Sequence, residues 1–134
     1  MQRVLIGQLI TYLIKLKGMY KMDNETKFIE FLQAARKPND KDCLASDFLR
    51  HIIKEPQFYA AFEHYTYQMI RRGRDFCSPW MVANRVRWES HLKTDEKYKV
   101  RNDYIALYAR LFMARNIQHH NFFKTKPMKR IKGL

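Results

Sequence analysis

Four glycines and four prolines are all that 134 residues contain, and this scarcity limits the fold more than any other feature. An all-β chain needs a tight turn roughly every ten residues, built on positions that tolerate unusual backbone angles. Helices need far fewer. The chain is 46% hydrophobic and 14% aromatic, which is apolar surface enough to offset the ordering entropy of folding. The expectation is a mainly α protein, a compact bundle of about five helices in one domain, since single cores usually occupy roughly 100–150 residues.

The punctuation supports five helices. Thr26 to Arg36 places Phe28, Phe31, Leu32 and Ala35 at helical spacing, with Asp23-Asn24 as a cap in front and Lys37-Pro38-Asn39-Asp40 as a stop behind. Cys43 to Lys54 carries Leu44, Phe48, Leu49 and Ile52. Glu55-Pro56 opens the third helix, because proline suits a first turn and a carboxylate complements the amino-terminal dipole. Its stripe of Phe58, Phe62, Tyr65 and Met69 is expected to be core. Arg71-Arg72-Gly73-Arg74 ends it with cations and a turn-competent glycine. Ser78-Pro79 starts the fourth helix, Trp80 to Glu89. Asn102-Asp103 is expected to cap the fifth, Tyr104 to Arg115, whose apolar face holds Tyr104, Leu107, Tyr108, Leu111 and Phe112. Between these last two, His91 to Arg101 lacks a helical period. Tyr98 and Val100 alternate there with Lys97, Lys99 and Arg101, which suits a loop or a short β-hairpin.

The expected organisation is an N-terminal apolar helix or extension over 1–22, one helical domain over 23–123, and a basic tail over 124–134 anchored by Phe122 or Phe123. The apolar run from Val4 to Leu16 is too short to span a bilayer. Lys-Leu-Lys-Gly follows it where a signal peptide would have small residues. Neither stable membrane insertion nor secretion is expected, although 1–22 could lie along a membrane surface. Cys43 and Cys77 stand alone, with no CxxC, and read as two buried thiols in a reducing, intracellular setting.

Charge is the feature that speaks to function. The formal net charge is +13, which strains a compact state and is relieved by a polyanion that releases its own counterions. The surplus is segregated: sixteen basic against five acidic residues lie from Gln68 onward, whereas 23–67 holds six against eight. On a helical wheel Trp80, Asn84, Arg87 and Trp88 share one side. Those are groups that stack on bases, bond to base edges and pair with phosphate. The bland alternative makes both tryptophans core and lets Arg87 snorkel. Arg85 points elsewhere on the wheel and is a phosphate-contact candidate.

Lys93, Lys97, Lys99 and Arg101 could form a flap along a phosphate backbone or a solvated loop. The candidate nucleic-acid surface comprises Arg71, Arg72, Arg74, Trp80, Asn84, Arg85, Arg87, Trp88, Lys97, Lys99, Arg101 and the tail cations Lys124, Lys126, Lys129 and Arg130. The connection of about a dozen residues between the last two helices is too long for a helix-turn-helix, which uses about three or four.

No P-loop, HExxH, nucleophile elbow or dinucleotide fingerprint occurs, and no enzyme, metal or cofactor is expected. His119-His120-Asn121 reads as a solvated helix end, because adjacent histidines point apart and lack acidic neighbours. Asp95-Glu96 reads as loop solvation. Two partner classes remain: nucleic acid, DNA first, or an acidic protein surface covered by an effector that blocks a host nuclease or defence complex.

Four motifs follow one another in the second half: Arg87-Trp88-Glu89, then Tyr98-Lys99-Val100-Arg101-Asn102-Asp103, then Tyr108-Ala109-Arg110-Leu111-Phe112-Met113, then Phe122-Phe123-Lys124. In this order they resemble a family of small phage and prophage proteins without a settled activity. The resemblance runs from Glu55 to Lys126 and implies a mobile-element origin and a cytoplasmic location in a bacterial host. The chain departs from the family pattern in keeping a single asparagine, Asn102, before the tyrosine helix, and in lacking a proline near Gln118.

Overall fold

A computed structural model describes residues 24–36, 43–93 and 101–134. The expectations for 1–22, for the cap at Asp23, for the stop at Lys37–Asp40, and for the strand, flap and acidic pair within 94–100 lie outside the described residues. The protein is mainly helical, with five α-helices among the described residues: α1 Asn24–Ala34, α2 Leu44–Lys54, α3 Pro56–Arg71, α4 Pro79–Lys93 and α5 Asn102–Arg115, followed by a 3-10 turn, Ile117–His119. No helix among the described residues is long and apolar enough to cross a membrane.

The chain divides into two compact units, Met1–Glu55 with Lys126–Leu134, and Pro56–Thr125. In the first, α1 packs on α2. Phe28, Ile29 and Leu32 are buried on α1, and Leu44, Phe48 and Leu49 on α2. Ile29 takes the place in the core that the spacing assigned to Phe31, which is partly exposed. The closing residues belong to this unit: Ile131 is buried, and Gly133, at φ 93°, lies where a β-carbon would come within 2.9 Å of the Phe31 ring. Cys43 is a buried free thiol whose Sγ donates to the Ala35 carbonyl at 3.6 Å.

The second unit packs α4 and α5 against α3. Its centre is aromatic. Tyr108 of α5 stacks among Phe58, Tyr59 and Phe62 of α3 at centroid distances of 5.0, 6.0 and 5.8 Å. Phe123 closes the cluster against Phe62 and Phe112, each at 5.6 Å. Both members of the closing phenylalanine pair are buried. The stripe expected along α3 is core only in its first half, since Tyr65 and Met69 are half-exposed. The buried face is instead Phe58, Tyr59, Phe62 and Thr66. Thr66 is admitted because its hydroxyl is satisfied by the Phe62 carbonyl at 2.7 Å.

Helix ends follow local chemistry, with two corrections. Ser78 caps α4 as expected: its Oγ accepts from the Trp80 backbone N–H at 3.3 Å, with Pro79 as the first helical residue. Gly73, at φ 83°, ends α3, and the bonds Gly73 N–H to Ile70 O and Arg74 N–H to Met69 O form a Schellman motif. Asn102 is not a cap. It is the first residue of α5, behind Arg101, which makes no side-chain cap bond. Residues 91–93, expected to open a loop or hairpin, are instead the last of α4, which continues through Lys93. No glycine or proline stands at 91–93, and adding a residue to an existing helix is far easier than starting one.

Candidate nucleic-acid interface

The orientation of α4 decides what its tryptophans can do. Val82, Ala83, Val86 and Ser90 are buried, and at about 100° per residue they occupy one arc of the helix. The opposite arc carries Trp80, Asn84 and Trp88, with half-buried Arg87 at its edge. Trp80 is 45% and Trp88 62% exposed, so neither indole is core. Asn84 Oδ1 accepts from Arg87 Nη1 at 3.3 Å, which ties the amide to the guanidinium. Arg85 sits on the other edge of this arc. Its Nη2 lies 3.1 Å from Glu89 Oε1 and its guanidinium 5.3 Å from the Tyr65 ring. That residue is engaged within the fold, although its side chain remains more than half exposed.

A second group gathers where α3 ends. Arg71, Arg72 and Arg74 are exposed, and none forms an ion pair with a described residue. Arg71 lies 5.9 Å over the Tyr67 ring. The loop after α3 is tied to the closing segment by the bond from Cys77 N–H to the Phe122 carbonyl at 3.3 Å. Exposed Phe76 carries the Lys124 ammonium 4.7 Å over its ring. Burial pushes the Cys77 thiol up from its ordinary value, which disfavours the nucleophilic thiolate.

The segment after α5 is held against α3 by a polar network. Buried Asn116 accepts from the Tyr67 hydroxyl through Oδ1, and its Nδ2 donates to the Phe112 carbonyl at 3.0 Å and to Glu63 Oε2 at 3.4 Å. Tyr59 donates to the same Glu63 oxygen at 2.6 Å, and Arg115 Nε lies 3.5 Å from it. Gln118 Nε2 donates to the Tyr67 hydroxyl at 3.4 Å, and His119 meets the Tyr67 ring edge-on at 5.5 Å. Desolvation, and then the Glu63 carboxylate, push the Tyr67 phenol up, so it remains a donor.

This network aligns residues 118–122 along a groove of about 350 Å3 whose other wall is Ile70, Gly73, Arg74 and Asp75. His119-His120-Asn121, expected as a solvated helix end, thus line a concave surface beside the α3 cations. The signal in the sequence was the Phe122-Phe123 anchor immediately after them, which folds the segment back. Among the described residues no group of three or more histidine, cysteine, aspartate or glutamate side chains is placed to hold a metal ion.

The remaining candidates are distributed elsewhere. Arg101 lies 3.1 Å from Asp103 and 5.3 Å over the Tyr104 ring at the start of α5. Lys126, Lys129 and Arg130 belong to the first unit and are exposed. Lys97 and Lys99 lie outside the described residues. Compared with known protein families, curated proteins and solved structures, the chain matches none.

Proposed function

We propose that the protein binds nucleic acid, DNA in the first place, through the outer arc of α4 and the cationic loops at the end of α3, and that it acts by binding and not by catalysis. The observation that carries this reading is the outward position of Trp80 and Trp88 on the helix where Asn84 is tied to Arg87. Indoles left in water forgo the burial that drives folding. A base stacked on an aromatic ring recovers it, at about 1–3 kcal/mol per base. Arg71, Arg72 and Arg74 supply charge that no carboxylate among the described residues answers. A phage or prophage origin and the cytoplasm of a bacterial host accompany this reading through the family resemblance.

Fluorescence anisotropy on random duplex and single-stranded DNA tests it. If about five phosphates are contacted, raising salt from about 50 to 200 mM weakens binding by roughly a few hundred-fold. A flat salt response rejects the proposal. A second reading, an effector covering an acidic protein surface, is favoured by the exposure of the apolar side chains Phe76 and Met81. Capture from nuclease-treated lysate separates the two, since only a protein partner survives that treatment.

A further inference from the structure

We infer that the groove between the end of α3 and residues 118–122 is a subsite for one unpaired nucleotide, which makes single-stranded or locally opened nucleic acid the preferred ligand. This rests on the nucleic-acid reading and deepens it.

A recess of about 350 Å3 is in the range of small-ligand sites, roughly 300–1,000 Å3, and takes one base with its sugar-phosphate. The lining chemistry divides in the same way as a nucleotide does. Arg74, without an ion-pair partner among the described residues, stands at one wall as a phosphate donor. Asp75 beside it is an acceptor-only carboxylate, and Gln118 and Asn121 across the groove carry amides that both donate and accept. Every base bears at least one N–H donor on its Watson–Crick edge. In a duplex that donor is already engaged, whereas an unpaired base presents it to Asp75. Half-exposed Ile70 gives the ring apolar contact.

His120 is held by its own backbone, with Nδ1 2.9 Å from the Ile117 carbonyl, which leaves Nε2 as the ring's remaining polar atom. The groove is built before any ligand arrives, since the Asn116–Tyr67–Gln118 contacts fix one wall and the Schellman turn at Gly73 fixes the other. Without a β-carbon, Gly73 also leaves open space at its position.

The test compares three probes on the full chain at one salt concentration: a mixed-sequence 12-nucleotide single strand, its perfect duplex, and the same duplex with one bulged nucleotide. The single strand and the bulged duplex are expected to bind about tenfold more tightly than the perfect duplex, the scale of one hydrogen bond to a charged group at the lower end of its range. Asn121→Ala should remove much of that preference and leave perfect-duplex affinity within about twofold, with circular dichroism confirming the helical fold. The bulge comparison needs no variant, so it stands even if a substitution unfolds the protein. Equal affinity for all three probes overturns the subsite and leaves the nucleic-acid reading intact. Absence of binding to any of them overturns both.

Discussion

α4 and α5 carry similar numbers of large apolar side chains and use them in opposite ways. On α5, Tyr104, Ile105, Leu107, Tyr108, Leu111 and Phe112 are all buried, with Tyr108 on Phe58 of α3 and Phe112 on Phe123. On α4, Val82, Ala83 and Val86 suffice for packing, and Trp80, Met81 and Trp88 face outward. Burial on α5 accounts for stability. The indoles of α4 contribute little to it and are left for a partner. A large aromatic therefore says little about its role until the direction in which its helix packs is known.

The comparison breaks most visibly through stability. Phe62→Ala removes a fully buried ring that touches Tyr108 and Phe123 and is expected to cost about 3–5 kcal/mol in urea denaturation. Trp80→Ala and Trp88→Ala should stay within about 0.5 kcal/mol of wild type, as exposed substitutions do. Similar losses at all three positions would mean that the outer arc of α4 is core after all.

The next effect belongs to the cations. Replacing Arg71, Arg72 and Arg74 together with alanine should flatten the log-log salt dependence of DNA binding by about 2.7, at about 0.9 per phosphate contact, with the urea midpoint unchanged. An unchanged slope would move the phosphate contacts elsewhere.

Asn116→Ala sharpens the boundary between packing and interface. It takes a shared partner from Tyr67 and Glu63 and should lower stability by about 1–3 kcal/mol. The smallest expected effect lies in the first unit. Burial, opposed by the Glu55 charge and assisted by Lys54, lowers the His51 pKa below its ordinary 6.5. The folded state thus favours neutral His51 and the unfolded chain takes up the proton more readily. The contribution is present above pH 6.5 and is lost as pH falls through 6.5 toward the lowered folded value. Thermal unfolding followed from pH 7.5 to 5 should show a decline that His51→Gln reduces.

Much of this was legible in the residues. Pro56 and the Ser78-Pro79 pair marked helix starts, and Gly73 marked a helix end, because each acts through its own backbone. The wide face of α5 was legible too, since nothing on its other side competes for burial. On α4 both arcs carry apolar residues, and periodicity alone does not say whether Val82 and Val86 or Trp80 and Trp88 turn inward. Tyr65 and Met69 continue the α3 stripe in sequence, yet the packed face turns toward Tyr59 and Thr66. The groove was hidden because its walls are some 45 residues apart in sequence and meet through Asn116, whose amide bonds no local pattern announces.

The two tryptophans are the only ones in the chain and both lie on the outer arc of α4, so intrinsic fluorescence reads the proposed face directly. Titrating the full protein with a single-stranded oligonucleotide should quench a water-exposed indole emission saturably, and added salt should reverse the quench. Emission typical of buried indoles in the free protein, or an exposed signal that no nucleic acid changes, would contradict the account.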